Sequence, residues 1–107
     1  MSTIKEATAI SIEAIPGKGD ELAEFLSAGG ALVKENEPET IHWFALRQNT
    51  NSFVVFDTFN DASGRARHFS GKVALALKDK AKDLILGGWD EGVVKKIQNY
   101  EILSNNG

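Results

Sequence analysis

His68 is one of two histidines in the chain. It falls in RHFSGKVALAL, Arg67 to Leu77, which reads as an amphipathic helix. Gly64 lies one turn before it and Gly71 one turn after. Glycine in a helix interior costs roughly 1 kcal/mol relative to alanine. Two of them on the strip 64–68–71–75 remove side-chain volume above and below the ring. An imidazole beside such a hollow can accept or donate a proton near neutral pH. The competing reading is a rim histidine whose glycines let helix and strand approach closely.

Other chemistry is scarce. The absence of cysteine excludes disulfides, thiolate metal sites and cysteine nucleophiles. No two histidines stand at metal-ligand spacing, and no metal is expected. Pro16-Gly17-Lys18-Gly19 lacks the Gly-Lys-Ser/Thr ending of a phosphate loop. No Gly-x-Ser-x-Gly elbow is present, and no cofactor is expected. His42 reads as a hydrogen-bonded strand residue, and Arg47 and Asp57 as interface or surface charges. Trp43 reads as core or interface, and Trp89 as a lid over the sheet edge.

The elements that must place His68 follow from periodicity. Thr8 to Ile15 alternates as a half-buried strand, with Ile10, Ile12 and Ala14 on one side. Asp20 to Lys34 is a helix with Leu22, Phe25, Leu26, Gly29, Leu32 and Val33 on one stripe. Glu37-Pro38-Glu39 is a turn. Thr40 to Gln48 and Ser52 to Phe59 form a hairpin around Asn49-Thr50-Asn51. A second helix starts at Asn60 or Asp61, presents Ala62, Ala66, Phe69, Val73 and Leu77, breaks near Ser70-Gly71 and resumes to about Leu84. Gly87-Gly88-Trp89-Asp90 is a loop. Gly92 to Leu103 holds a last strand, with a bulge between Val94 and Ile97. The order β-α-β-β-α-β is the ferredoxin-like α+β arrangement, a four-stranded antiparallel sheet with helices on one face.

The hairpin register places Leu46 opposite Val54, Phe44 opposite Phe56 and Arg47 opposite Phe53. His42, Phe44, Leu46, Val54, Phe56 and Thr58 share one face; Trp43, Ala45, Arg47, Phe53, Val55 and Asp57 share the other. Both are bulky and apolar, whereas a small antiparallel sheet commonly leaves one face polar. Helices can cover one face only, so a homo-oligomer is expected, with Trp43, Phe53 and Val55 as the cluster seeking cover. Phe44, Leu46, Val54 and Phe56 are then the expected wall opposite His68. With Gly64 and Gly71 they line a mostly apolar site for a small molecule.

At 107 residues the chain is one domain, 1–107, and its net charge of −3 leaves no basic patch for nucleic acid. Lys78, Lys80 and Lys82 alternate with acids as a solvated helix end. No apolar run spans a bilayer. The opening MSTIKEATAI lacks the pattern of a secretory signal. A cytoplasmic protein without membrane contact is expected.

Three stretches carry a resemblance: IPGKGDELAEFL, EPETIHWFALR and FVVFDTFNDASGRARHFSGKVALAL. With the final strand they resemble the antibiotic biosynthesis monooxygenase-like family over about Ile10 to Ile102. The resemblance implies a homodimer of ferredoxin-like subunits whose sheets close an α+β barrel. It implies oxidation of an electron-rich phenol or quinol by O2 with no metal or flavin, and it carries the helical histidine over to His68. Where polyketide-tailoring members place tryptophan, tyrosine and asparagine partners, this chain has Gln48, Val54 and Phe44, which implies a different substrate. Lys78 stands where the haem-degrading branch has its haem-ligating histidine, so haem degradation is not implied. A dimeric small-molecule binding protein without turnover is the alternative.

Overall fold

Strand β1 (Glu6–Glu13) is central because its alternation supplies Ile10 and Ile12, both almost fully buried, to one side of the sheet. The computed structural model describes residues 4–107; the first three residues of the opening segment lie outside the described residues. Helix α1 (Gly19–Asn36) follows, then β2 (Thr40–Arg47) and β3 (Ser52–Phe59) as the expected hairpin. The remaining elements are α2 (Ala62–Phe69), α3 (Lys72–Leu84), a short α4 (Gly88–Gly92), a 3-10 turn (Val94–Lys96) and β4 (Ile97–Glu101). The sheet order is β2-β3-β1-β4 with every pairing antiparallel. This is the ferredoxin-like α+β arrangement.

The hairpin register agrees with the sequence, since Leu46 faces Val54, Phe44 faces Phe56 and Arg47 faces Phe53. The use of its two faces does not. β1 pairs with β3 so that Ile10 meets Val55 and Ile12 meets Phe53. The isoleucines therefore draw the Phe53–Val55–Asp57 face under the helices. Phe53 and Val55 are buried with Leu22, Leu26, Leu77 and Leu84 in one core. Each such side chain contributes about 1.5–3 kcal/mol. Phe44 and Leu46 lie on the opposite face and are each half exposed. The expected open face is thus the covered one, and the expected pocket wall is the open one.

Four local expectations also change. Ala62 and Ala66 are exposed; α2 instead turns Gly64 and His68 inward. Helix α2 ends at Phe69 and α3 starts anew after Gly71, so 64–68–71–75 is not one continuous strip, and Leu75 is exposed. Gly87-Gly88-Trp89-Asp90 is not a plain loop: Gly87, at φ +88°, leads into α4. No bulge joins Val94 to Ile97, because the 3-10 turn absorbs that spacing. Asp61 caps α2, its carboxylate accepting from the Gly64 N–H at 3.0 Å.

Candidate active site

Three elements bring a histidine and two carboxylates together inside the protein. His68 comes from the last turn of α2, Asp57 from the inner face of β3, and Glu37 from the residue that ends α1. His68 Nδ1 lies 2.5 Å from Glu37 Oε1, and Nε2 lies 3.0 Å from Asp57 Oδ2. All three residues are buried, Asp57 to 1% exposure. The Thr40 hydroxyl donates to the same Glu37 oxygen at 3.0 Å. Phe59 and Phe69 pack against the imidazole with centroids 5.6 and 5.5 Å away.

Burial is the strongest single influence on the ring and opposes its charge. The hydrogen bonding and charge of Asp57, then of Glu37, together outweigh it and hold the His68 pKa above its ordinary value. The two carboxyl groups thus favour the protonated ring over the neutral one. Glu37 Oε2 and both Asp57 oxygens have no aligned hydrogen-bond partner among the described residues. The Asp57 contact at 3.0 Å is the less well aligned of the two. The carboxylates meet opposite edges of the ring, and no cluster able to hold a metal occurs among the described residues.

The glycines serve the close-contact reading and also border a space. A Cβ on Gly71 would stand 2.9 Å from Glu37 Oε2, and one on Gly64 would stand 3.2 Å from the Glu39 carbonyl oxygen. Their bareness lets the α1–β2 turn close onto α2 and bring Glu37 to His68. Outside this contact lies a cleft of about 270 Å³, lined by Glu37, Gly64, Arg67, His68, Gly71 and Lys72. On the core side of His68 is a cavity of only about 30 Å³, among Trp43, Val55, Phe69, Leu77, Trp89 and Val93.

Phe44, Leu46, Val54 and Phe56, the expected opposite wall, do not meet His68. Phe44 and Phe56 instead border a groove of about 580 Å³ on the open sheet face, with His42, Thr58 and Tyr100. His42 is held there by Thr58, with Nδ1 2.9 Å from the hydroxyl oxygen. Arg47 is a surface charge, pairing with Asp20 at 2.9 Å. Trp43 and Trp89 are partly buried against the core.

Sequence reasoning missed Asp57 and Glu37. The signal for Asp57 was its alternation with Phe53 and Val55: a carboxylate on a core face demands a partner. Glu37 carried no such signal, because it sits in a Pro-containing turn.

Neither a protein-family model nor a curated protein matches the sequence. Solved structures do. A protein of unknown function from Nitrosomonas europaea is 34% identical, with 97% of this chain and 94% of that chain covered and a TM-score of 0.87. The chain belongs to one family with that protein. A provisionally named antibiotic biosynthesis monooxygenase from the same organism is 17% identical, with 96% and 94% covered and a TM-score of 0.80. Another so named, from Caulobacter crescentus, is 16% identical, with 94% and 92% covered and a TM-score of 0.76. The fold is therefore the antibiotic biosynthesis monooxygenase-like fold. Within that fold, no described helix is long and apolar enough to cross a membrane.

Proposed function

We propose that the protein is a homodimeric monooxygenase that oxidises a quinol or polyphenolic aromatic with O2 and no cofactor. The observation that carries this reading is the buried Glu37 carboxylate, whose unpartnered Oε2 belongs to a residue lining the 270 Å³ cleft with His68. One imidazole stands between two carboxyl groups, so its charge can match only one of them, and an unmatched buried charge is costly. The cluster is thus disposed to take one proton from a phenolic hydroxyl. Glu37 is the accepting group, His68 orients it and sets its charge, and Asp57 holds the far edge of the ring. This is the logic of a base oriented by a second group and that by a third.

The resulting phenolate is electron-rich enough to reduce O2 directly. For a simple quinol the balance is quinol plus O2 giving a hydroxyquinone plus water. One oxygen atom forms a bond to a ring carbon and the other leaves as water. The substrate supplies all four electrons, so no external reductant is needed. Arg67 and Lys72 at the cleft suit hydroxyl or carbonyl oxygens on the same guest. A second copy covers the open sheet face, where Phe44 and Leu46 are each 50% exposed.

Oxygen uptake over a panel of quinols tests this reading, with ¹⁸O₂ to follow one atom into product. Glu37→Gln and His68→Gln are expected to lose turnover while still folding. Full activity in Glu37→Gln, or no turnover of any quinol by the unmodified protein, overturns it. Binding without turnover is the second reading. It is favoured by Gln48, Val54 and Phe44 standing where the polyketide-tailoring members place their tryptophan, tyrosine and asparagine partners. It predicts thermal stabilisation by aromatic ligands with no oxygen consumed.

A further inference from the structure

We infer that the small apolar cavity on the core side of His68 is a binding site for molecular oxygen. The identity of the gas rests on the proposed monooxygenase reading; the size and polarity of the site do not. The cavity measures about 30 Å³. An engineered cavity that takes up benzene is roughly five times larger, about 150 Å³. An aromatic substrate is therefore excluded, while a diatomic molecule fits.

Water is the obvious competitor and the lining disfavours it. A buried water needs two to four polar partners. Val55, Phe69, Leu77 and Val93 line it with apolar atoms, and Trp43 and Trp89 bring one indole N–H each. Both His68 nitrogens are already engaged by Glu37 and Asp57. The Trp43 indole N–H is buried without a partner, but indoles are donors only and offer no acceptor for a water's own hydrogens. An apolar cavity of this kind stays dry and admits apolar guests such as xenon.

Position gives the site its use. His68 forms part of the wall of both the cavity and the cleft. An apolar gas on one side and a hydroxyl-bearing guest on the other are separated by a single imidazole. Polar groups gather on the cleft side with Glu37, Arg67 and Lys72, and the apolar groups gather on the core side. The two compartments therefore suit the two reactants of an O2-dependent oxidation, each by its own solvation preference.

Xenon under pressure in crystals of the full chain, and dissolved O2 in methyl NMR of the same protein, test the inference. Xenon is expected between His68, Trp43 and Val93. Paramagnetic relaxation by O2 is expected to be at least about twofold stronger at the Val73, Leu77 and Val93 methyls than at Leu22 and Ile12, equally buried but outside the cavity. Ala74→Leu should abolish both effects by filling the space; Val93→Ile serves if that variant does not fold. Absence of xenon from the cavity, or equal relaxation at the two methyl groups, overturns the inference. Gas in the cavity with no oxygen uptake on quinols supports the site and removes the monooxygenase reading. Turnover with no gas in the cavity does the reverse.

Discussion

Replacing His68 by glutamine would strand two buried carboxylates without their cation. Glu37 and Asp57 are 9% and 1% exposed, and three of their four oxygens have no aligned partner. Asp57 lies between α2 and the sheet with no route to water, and Glu37 meets only the cleft beside α2. Removing one partner of a buried ion pair costs about 3–5 kcal/mol. A domain of this length has roughly 5–15 kcal/mol in all. With a urea slope near 2 kcal/mol per M, the unfolding midpoint should fall by about 2 M. Urea unfolding at pH 7, at one fixed protein concentration because association adds to stability, measures this directly. The triple variant Glu37→Gln, Asp57→Asn, His68→Gln carries no buried charge and should recover more than half of the loss, which is the non-additivity expected of a single cluster. A loss below about 1 kcal/mol in His68→Gln, or a triple variant no better than the single one, would refute the buried-ion argument.

Three further outcomes follow from the same geometry. The folded-state pKa of His68 lies above its unfolded value of about 6.5. Its stabilisation is therefore complete below that pH and is lost as pH rises through the folded value. Midpoints of the unmodified protein should fall relative to His68→Gln above pH 6.5; parallel profiles would contradict the assignment. Gly71→Ala places a methyl 2.9 Å from Glu37 Oε2, and His68 and Thr40 pin that carboxylate in place. A cost of about 1–3 kcal/mol is expected, and it should largely vanish in a Glu37→Ala background; a double-mutant cycle reads the coupling. Leu46→Arg on the open face should convert a dimer to monomer in sedimentation equilibrium at micromolar concentration, leaving helical circular dichroism unchanged; an unaltered mass would place the interface elsewhere.

The order of elements was legible in the chain because each signal was local. Alternation over Ile10 and Ile12, the Asn-rich hairpin turn and the break at Ser70-Gly71 each act within a few residues. The hairpin register was legible for the same reason, since turn length sets it. Which face of that hairpin turns inward was not local. It depends on β1 pairing Ile10 with Val55 and Ile12 with Phe53, across more than forty residues of chain.

Composition and periodicity by themselves determined the α+β fold class, the absence of thiol chemistry and the singling out of His68 between two glycines. Only the tertiary structure decided what the glycines are for. Gly71 is bare so that a carboxylate from the end of α1 can reach an imidazole on α2. The covering of the Asp57 face put a second carboxylate on the other edge of that ring. A one-residue difference in facing moves every side chain of a strand from core to solvent. A buried charge is tolerated only where the fold supplies its counter-charge. That partner is chosen by packing between distant segments, where no sequence spacing records it.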